Sequence, residues 1–142
     1  MRLQRLVYVS KVRIPEDLFE YELSRIVETA RTFNSVNSLT GLLLYSDRYF
    51  MQLLEGDRGI LTDLFANIHA DDRHVKCELL SVGAIHCRTF ADWDMACLGL
   101  HDVPGRHLKR FCSDGHLNPF EMSPDAVIDL IYQLDQGLLM AA

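Results

Sequence analysis

The chain predicts an α+β fold of the ferredoxin-like kind, a β-α-β-β-α-β-β sandwich with a C-terminal helical extension. Three observations carry that prediction. The apolar pattern switches between a period of two and a helical period in the order strand, helix, hairpin, helix, strand, strand. Two apolar runs, "SLTGLLLYS" and "YFMQLLEG", are separated only by "DR", which reads as a tight hairpin. No internal repeat, linker or low-complexity stretch divides the 142 residues, so a core of single-domain size is expected.

Each element has its own signal. "LQRLVYVS" alternates as a strand, with Gln4, Leu6, Tyr8 and Ser10 on one face and Leu3, Arg5, Val7 and Val9 on the other. In "IPEDLFEYELSRIVETARTFN", Pro15 and the acids after it suit a first helical turn, and Leu23, Ile26, Val27, Ala30 and Phe33 recur at helical spacing. Asn34 then reads as the end of that helix and its C-cap. The hairpin lacks the glycine that would mark its turn most strongly. "GILTDLFANIHADDRH" is a second helix with Ile60, Leu61, Leu64, Phe65 and Ile68 on its core face, and "DDRH" at its end sets Arg73 and His74 near the negative pole. "VKCELLSVGAI" and "WDMACLGL" read as two more strands around a loop holding "HCRTF".

The chain changes character at Pro104 and Gly105, after which two helices are expected, over roughly residues 105–113 and 124–139. Ser123 followed by Pro124 is an N-cap with proline in the first helical position, and Val127, Leu130, Ile131 and Leu134 form a stripe on the last helix. Met51 and Leu53 point away from the Gln52 face, so the far side of the sheet is apolar too and the tail helices are expected to cover it. The organisation expected is a unit over residues 1–100 and an extension over 101–142 packed on its sheet.

With 14 Lys and Arg against 20 Asp and Glu, the net charge of −6 works against a nucleic-acid or anionic-membrane surface. Cys77, Cys87, Cys97 and Cys112 form no C-x-x-C pair and do not alternate with His at zinc spacing, so reduced, buried thiols are expected and no metal. "MRLQRLVYVS" runs straight into an alternating strand without an apolar leader, and no stretch approaches the ~18 apolar residues of a membrane span. A cytoplasmic protein is the expectation.

Gln52 is the anomaly. It interrupts an apolar run that reads as a strand buried on both faces, and burying a carboxamide without partners costs roughly 1–3 kcal/mol. If Tyr8 and Gln52 both point to the helix-covered face, they meet in the core. Both helices end near one sheet edge, so Asn34, Asp71, Arg73 and His74 would rim a slot with Tyr8 and Gln52 on its floor. An amide, an acid and an arginine around an apolar slot suit a flat heterocycle with ring carbonyls and ring N–H groups.

From residue 3 to about residue 100 the chain resembles the BLUF domain, a flavin-binding blue-light sensor module. The resemblance rests on "RLVYVS", "N-x-x-x-x-x-TGLLLY", "F-x-Q-L-LEG", "I-x-x-D-x-RH" and "RTFADWDM", in that order. It implies that Tyr8 is the photoactive tyrosine, giving an electron and then a proton to the excited flavin. It implies that Gln52 lies between that tyrosine and the flavin and rearranges its hydrogen bonds after light, by rotation or tautomerisation. Asn34 is implied to fix the ring edge, Asp71, Arg73 and His74 to form the polar set at the ring and chain side, and Ile26 and Ile68 to sandwich the ring. Trp93 and Met95 match the pair held to move or relay the signal, and Ser10, two residues after Tyr8 on the same face, is placed to join that relay.

The chain departs from the pattern at Phe33, where some members carry a histidine or second asparagine, and at Asn67, where some carry a basic residue. No Gly-rich phosphate loop is present, so the nucleotide end of the cofactor is expected to be exposed and the sequence does not tell FAD from FMN; the resemblance implies FAD, with FMN possible. An acylphosphatase-like hydrolase would need a tight loop of backbone donors after the first strand, which the sequence lacks. A ferredoxin-like RNA-binding module would need a basic surface and exposed sheet aromatics. A ligand-binding regulatory module without photochemistry is the strongest rival. The expectation is a short photoreceptor, not an enzyme, that forms a homo-oligomer and signals to an unidentified downstream protein.

Overall fold

The computed structural model describes residues 1–112 and 116–134. Strands β1 (Leu3–Val12), β2 (Thr40–Tyr45), β3 (Tyr49–Asp57), β4 (His74–Ala84) and β5 (Ala96–Gly99) form one sheet in the order β4-β1-β3-β2-β5. β1 runs antiparallel to both β3 and β4 and lies between them, the split arrangement of a ferredoxin-like sandwich. β5 adds to β2 in parallel as the extra strand. The α+β prediction is therefore correct in type and order.

The hairpin between β2 and β3 turns at Asp47 and Arg48 without a glycine. Ser46 does the work: its Oγ accepts from the backbone N–H groups of Arg48 and Tyr49, both at 3.1 Å. Gly41 on β2 answers a different need, because a side chain there would run into the Leu53 carbonyl of β3.

Helix α1 spans Phe19–Asn37 and α2 spans Arg58–Ala70. Pro15, with an extended ψ of 140°, stands outside the helix and is followed by a 3-10 turn, Glu16–Leu18. Asn34 does not end α1 as expected. Ser38, left-handed at φ 55°, ends it, and the N–H groups of Ser38 and Leu39 donate to the Asn34 carbonyl. The cap is thus made by the Asn34 backbone, which leaves its side chain for other work.

"DDRH" is likewise not the end of α2. Asp71 is already extended at ψ 124°, and His74 opens β4 opposite Val12. β5 is limited to Ala96–Gly99, shorter than the strand expected over "WDMACLGL", so Trp93, Asp94 and Met95 belong to the connection from β4.

The sheet has a core on each face. Leu6, Tyr8, Leu43 and Leu54 pack with Val27 of α1 and Leu61 of α2. On the other face Val7, Val9, Met51 and Leu53 lie with Val127, Leu130, Ile131 and Leu134. β1 and β3 are central strands with both faces filled, which is why their sequences are almost continuously apolar. The covering helix α4 (Pro124–Tyr132) starts as predicted, Ser123 Oγ accepting from the Ala126 N–H at 3.1 Å. Its expected continuation over 135–139 lies outside the described residues. The expected helix over 105–113 is shorter, α3 covering Gly105–Leu108, after which Phe111 N–H bonds the Leu108 carbonyl in a tighter turn.

The thiols are free, but they are not uniformly buried: Cys87 is exposed, and Cys77, Cys97 and Cys112 are half-buried. Burial pushes the Cys77 and Cys97 thiols up to about 11. Among the described residues no helix is long and apolar enough to cross a membrane.

Candidate functional site

Tyr8 and Gln52 are direct cross-strand partners on β1 and β3, so both side chains leave the same face of the sheet. The Tyr8 hydroxyl donates to Gln52 Oε1, and the contact is buried. Gln52 Nε2 faces Met95 Sδ at 3.5 Å. A thioether is a weak acceptor, so the amide N–H₂ group is only partly served. Burial pushes the Tyr8 phenol well above its ordinary range, with further upward pushes from Cys77 and Asp71.

These side chains form the floor of a cavity of about 290 Å³ between α1 and α2. Ile26 and Ile68 contribute from the two helices, and Met95 reaches in from the connection before β5. The rim carries Asn34, Asp71, Arg73 and His74. The residues expected to share a slot do line one cavity, although Asp71, Arg73, His74 and Met95 lie outside the elements the sequence suggests for them.

The polar rim is internally organised. Arg73 donates to Asp71 from its backbone N–H at 2.9 Å, from Nε at 3.0 Å and from Nη2 at 2.6 Å, while Nη1 reaches Glu22 at 3.3 Å. These bonds hold the Asp71 carboxyl below its usual range and raise Arg73. His74 is buried, with Nδ1 at 2.6 Å from Ser10 Oγ and Nε2 against the Ile68 carbonyl.

Asn34 shows an unmet need. Its Nδ2 donates to the Asp94 carbonyl at 2.6 Å, an acceptor that fixes which way the amide is turned. Its Oδ1 is buried with no hydrogen-bond partner. A buried carbonyl oxygen left bare costs about 1–3 kcal/mol, so a donor in the cavity would be held there.

Two expected residues stand apart. Ser10 is fully buried beneath His74 and does not line the cavity. Trp93 packs against the core on the opposite face of the sheet, so of the Trp93 and Met95 pair only Met95 reaches the cavity. Arg31 was missed: its Nε donates to the Met95 carbonyl at 3.0 Å and so helps to place that residue. The available signal was its position three residues before Asn34, on the same side of α1.

A family profile described as "Sensors of blue-light using FAD", BLUF, matches residues 3–96. The chain belongs to the BLUF family. BLUF similarity extends to the photoactivated adenylate cyclase subunit beta of Euglena gracilis, 38% identical over 93 residues that make up 66% of this chain and 11% of that protein. The chain thus matches only about a tenth of the length of that curated relative. Among solved structures it is similar to the ground state of BlsA, with a TM-score of 0.85 and 26% identity over 99% of this chain and 89% of that one. It is also similar to the dark state of the BLUF protein BlrB, with a TM-score of 0.76 and 26% identity over 99% of this chain and 98% of that one. Both likenesses include the tail helices as well as the BLUF region.

Proposed function

We propose that this BLUF chain senses blue light through Tyr8 and Gln52 and passes the change to a separate protein, without turnover chemistry of its own. The observation that carries this reading is the buried Tyr8 to Gln52 hydrogen bond at the floor of a cavity that is also lined by Asn34, whose buried Oδ1 has no hydrogen-bond partner. When bound and excited by blue light, flavin supplies an oxidant. Tyr8 is placed to give up an electron and then its hydroxyl proton toward Gln52 Oε1. The carboxamide answers by turning over or by shifting a proton within itself, and either change exchanges donor for acceptor at nearly constant volume.

The residues fit a flavin ring. Asn34 Oδ1 would take a ring N–H, Gln52 Nε2 would exchange its weak sulfur acceptor for a ring carbonyl, and Ile26 and Ile68 would wall the ring. Asp71, Arg73 and His74 would hold its polar side. A cavity near the small end of the roughly 300–1,000 Å³ range of ligand sites suits a tricyclic ring and leaves a phosphate chain outside. FAD, the flavin of the family description, is the proposed cofactor, and FMN would satisfy the same ring contacts.

Residues 101–142 are proposed as an extension whose packing on the sheet carries the signal outward. We place the protein in the cytoplasm as a homo-oligomer.

Purified protein is expected to be yellow, or to turn yellow on adding FAD. Blue light should shift its flavin absorption band reversibly to longer wavelength without lasting reduction. A protein that stays colourless and takes up neither FAD nor FMN would sink the photoreceptor reading in favour of a ligand-binding module without photochemistry; one that binds flavin yet shows no shift would lack the Tyr8 and Gln52 response.

A further inference from the structure

Glu55 is a fully buried acid that the light response does not use. It lies on β3 three residues from Gln52 and, by strand alternation, on the opposite face of the sheet. Every partner of its carboxylate is a donor. Oε1 accepts from Thr40 Oγ1 at 2.9 Å and from the Phe90 N–H at 3.0 Å, and Oε2 accepts from the Thr89 N–H at 2.6 Å. Arg88 completes the cluster: Nη1 donates to Thr40 Oγ1 at 2.9 Å and to the Glu55 carbonyl at 3.1 Å, and Nη2 donates to the Ser38 carbonyl at 2.7 Å. The Thr40 hydroxyl therefore takes a bond from the cation and gives one to the acid.

These bonds hold one end of the connection between β4 and β5, residues 85–95. Its other end is held differently. Asn34 binds the Asp94 carbonyl, Arg31 binds the Met95 carbonyl, and Gln52 Nε2 faces Met95 Sδ. Both anchors carry charge-assisted bonds, made by Glu55 and Arg88 in the first and by Arg31 in the second, but only the second also touches, through Met95 Sδ, the group proposed to rearrange. A rearranged Gln52 would loosen the second anchor and leave the first intact.

We propose that Glu55 and Arg88 are positioning residues that pin the front of this connection, so that a change at Gln52 displaces only residues 93–95 and the pin draws them back. The return to the dark state is thereby paced from the face of the sheet opposite the cavity. The pacing rests on the light response proposed above; the pin itself does not.

The test uses the full chain and Glu55→Gln, which puts an amide N–H₂ group against one of the N–H donors. Hydrogen exchange at the Thr89 and Phe90 amides, followed by NMR in the dark with and without FAD, should quicken about tenfold or more, as expected for losing a bond to a charged group. Recovery after blue light should slow by a similar factor of about ten, with the dark absorption spectrum unchanged. Val127→Ala, which removes core volume on the same face but none of these hydrogen bonds, should recover at the parent rate. Parent-like exchange at Thr89 and Phe90 in Glu55→Gln overturns the pin, and equal slowing in Val127→Ala overturns the pacing. If Glu55→Gln does not fold, Arg88→Ala is read the same way, and parent-like exchange and recovery there overturn the proposal. A parent protein with no spectral shift defeats the light response and the pacing with it, while the exchange measurement still decides the pin.

Discussion

Ser10 and His74 are joined at 2.6 Å between Oγ and Nδ1, and the other ring nitrogen of His74 lies against the Ile68 carbonyl. A carbonyl only accepts, so Nε2 carries the hydrogen in that contact, and this tautomer leaves Nδ1 to accept a hydrogen bond from the Ser10 hydroxyl. One imidazole thus ties β1, the start of β4 and the last turn of α2 together at the cavity rim.

Ser10→Ala removes that tie and leaves a buried ring nitrogen without a donor. Urea unfolding should show a loss of about 1–3 kcal/mol, while flavin remains bound because no cavity wall is removed. A variant as stable as its parent contradicts the tautomer assigned to His74.

Gln52→Leu keeps the approximate volume and removes every hydrogen bond the side chain makes. Flavin binding, measured by fluorescence titration, should persist within about tenfold, since an apolar substitution adds no unpaired group of its own. The reversible red shift should vanish; if it survives with parental size and rate, the switch lies elsewhere.

Tyr8→Phe deletes one hydroxyl and should abolish the normal red-shifted state. Trp93→Phe should retain it with altered yield or recovery, because Trp93 packs on the opposite core and not in the cavity. Transient absorption together with steady-state difference spectra separates the two. The reverse result, a normal cycle in Tyr8→Phe and none in Trp93→Phe, assigns the electron donor to Trp93.

The Asp71 carboxyl is held below its ordinary value by Arg73, so its contribution to stability is complete above the usual aspartate value and is lost as pH falls through the lowered one. Asp71→Asn should be less stable than the parent at pH 7, and the gap between the two urea midpoints should close below about pH 4. Part of the side chain is solvent-exposed, which screens the ion pair and keeps the gap small. A gap that is constant from pH 7 down to pH 3 contradicts the ion-pair origin.

What the sequence made legible follows from periodicity. Tyr8 and Gln52 could be brought together because strands alternate, and a residue's face follows from its parity once the apolar set is known. Element ends were harder to read. Asn34 looked like a cap because asparagine favours that place, yet Ser38 adopts the left-handed conformation and the Asn34 carbonyl takes the capping bonds. Arg73 and His74 looked like a helix terminus because local dipole arguments favour them there, whereas pairing with Val12 draws His74 into β4. Trp93 and Met95 read as strand because they are apolar, but Asn34 and Arg31 capture the carbonyls of Asp94 and Met95. The partners of His74, Asp94 and Met95 are distant in sequence, so no local pattern announces them.

The burial that raises the Tyr8 phenol also makes for a quiet receiver. A hydroxyl held well above a normal range near 10 keeps its proton at every acidity a cell meets, so under the light response proposed above a swing in ambient pH does not imitate illumination. Only after oxidation does a phenol become acidic enough to give that proton away. Under that response, a signal in darkness would need oxidation of a buried tyrosine rather than proton exchange with solvent.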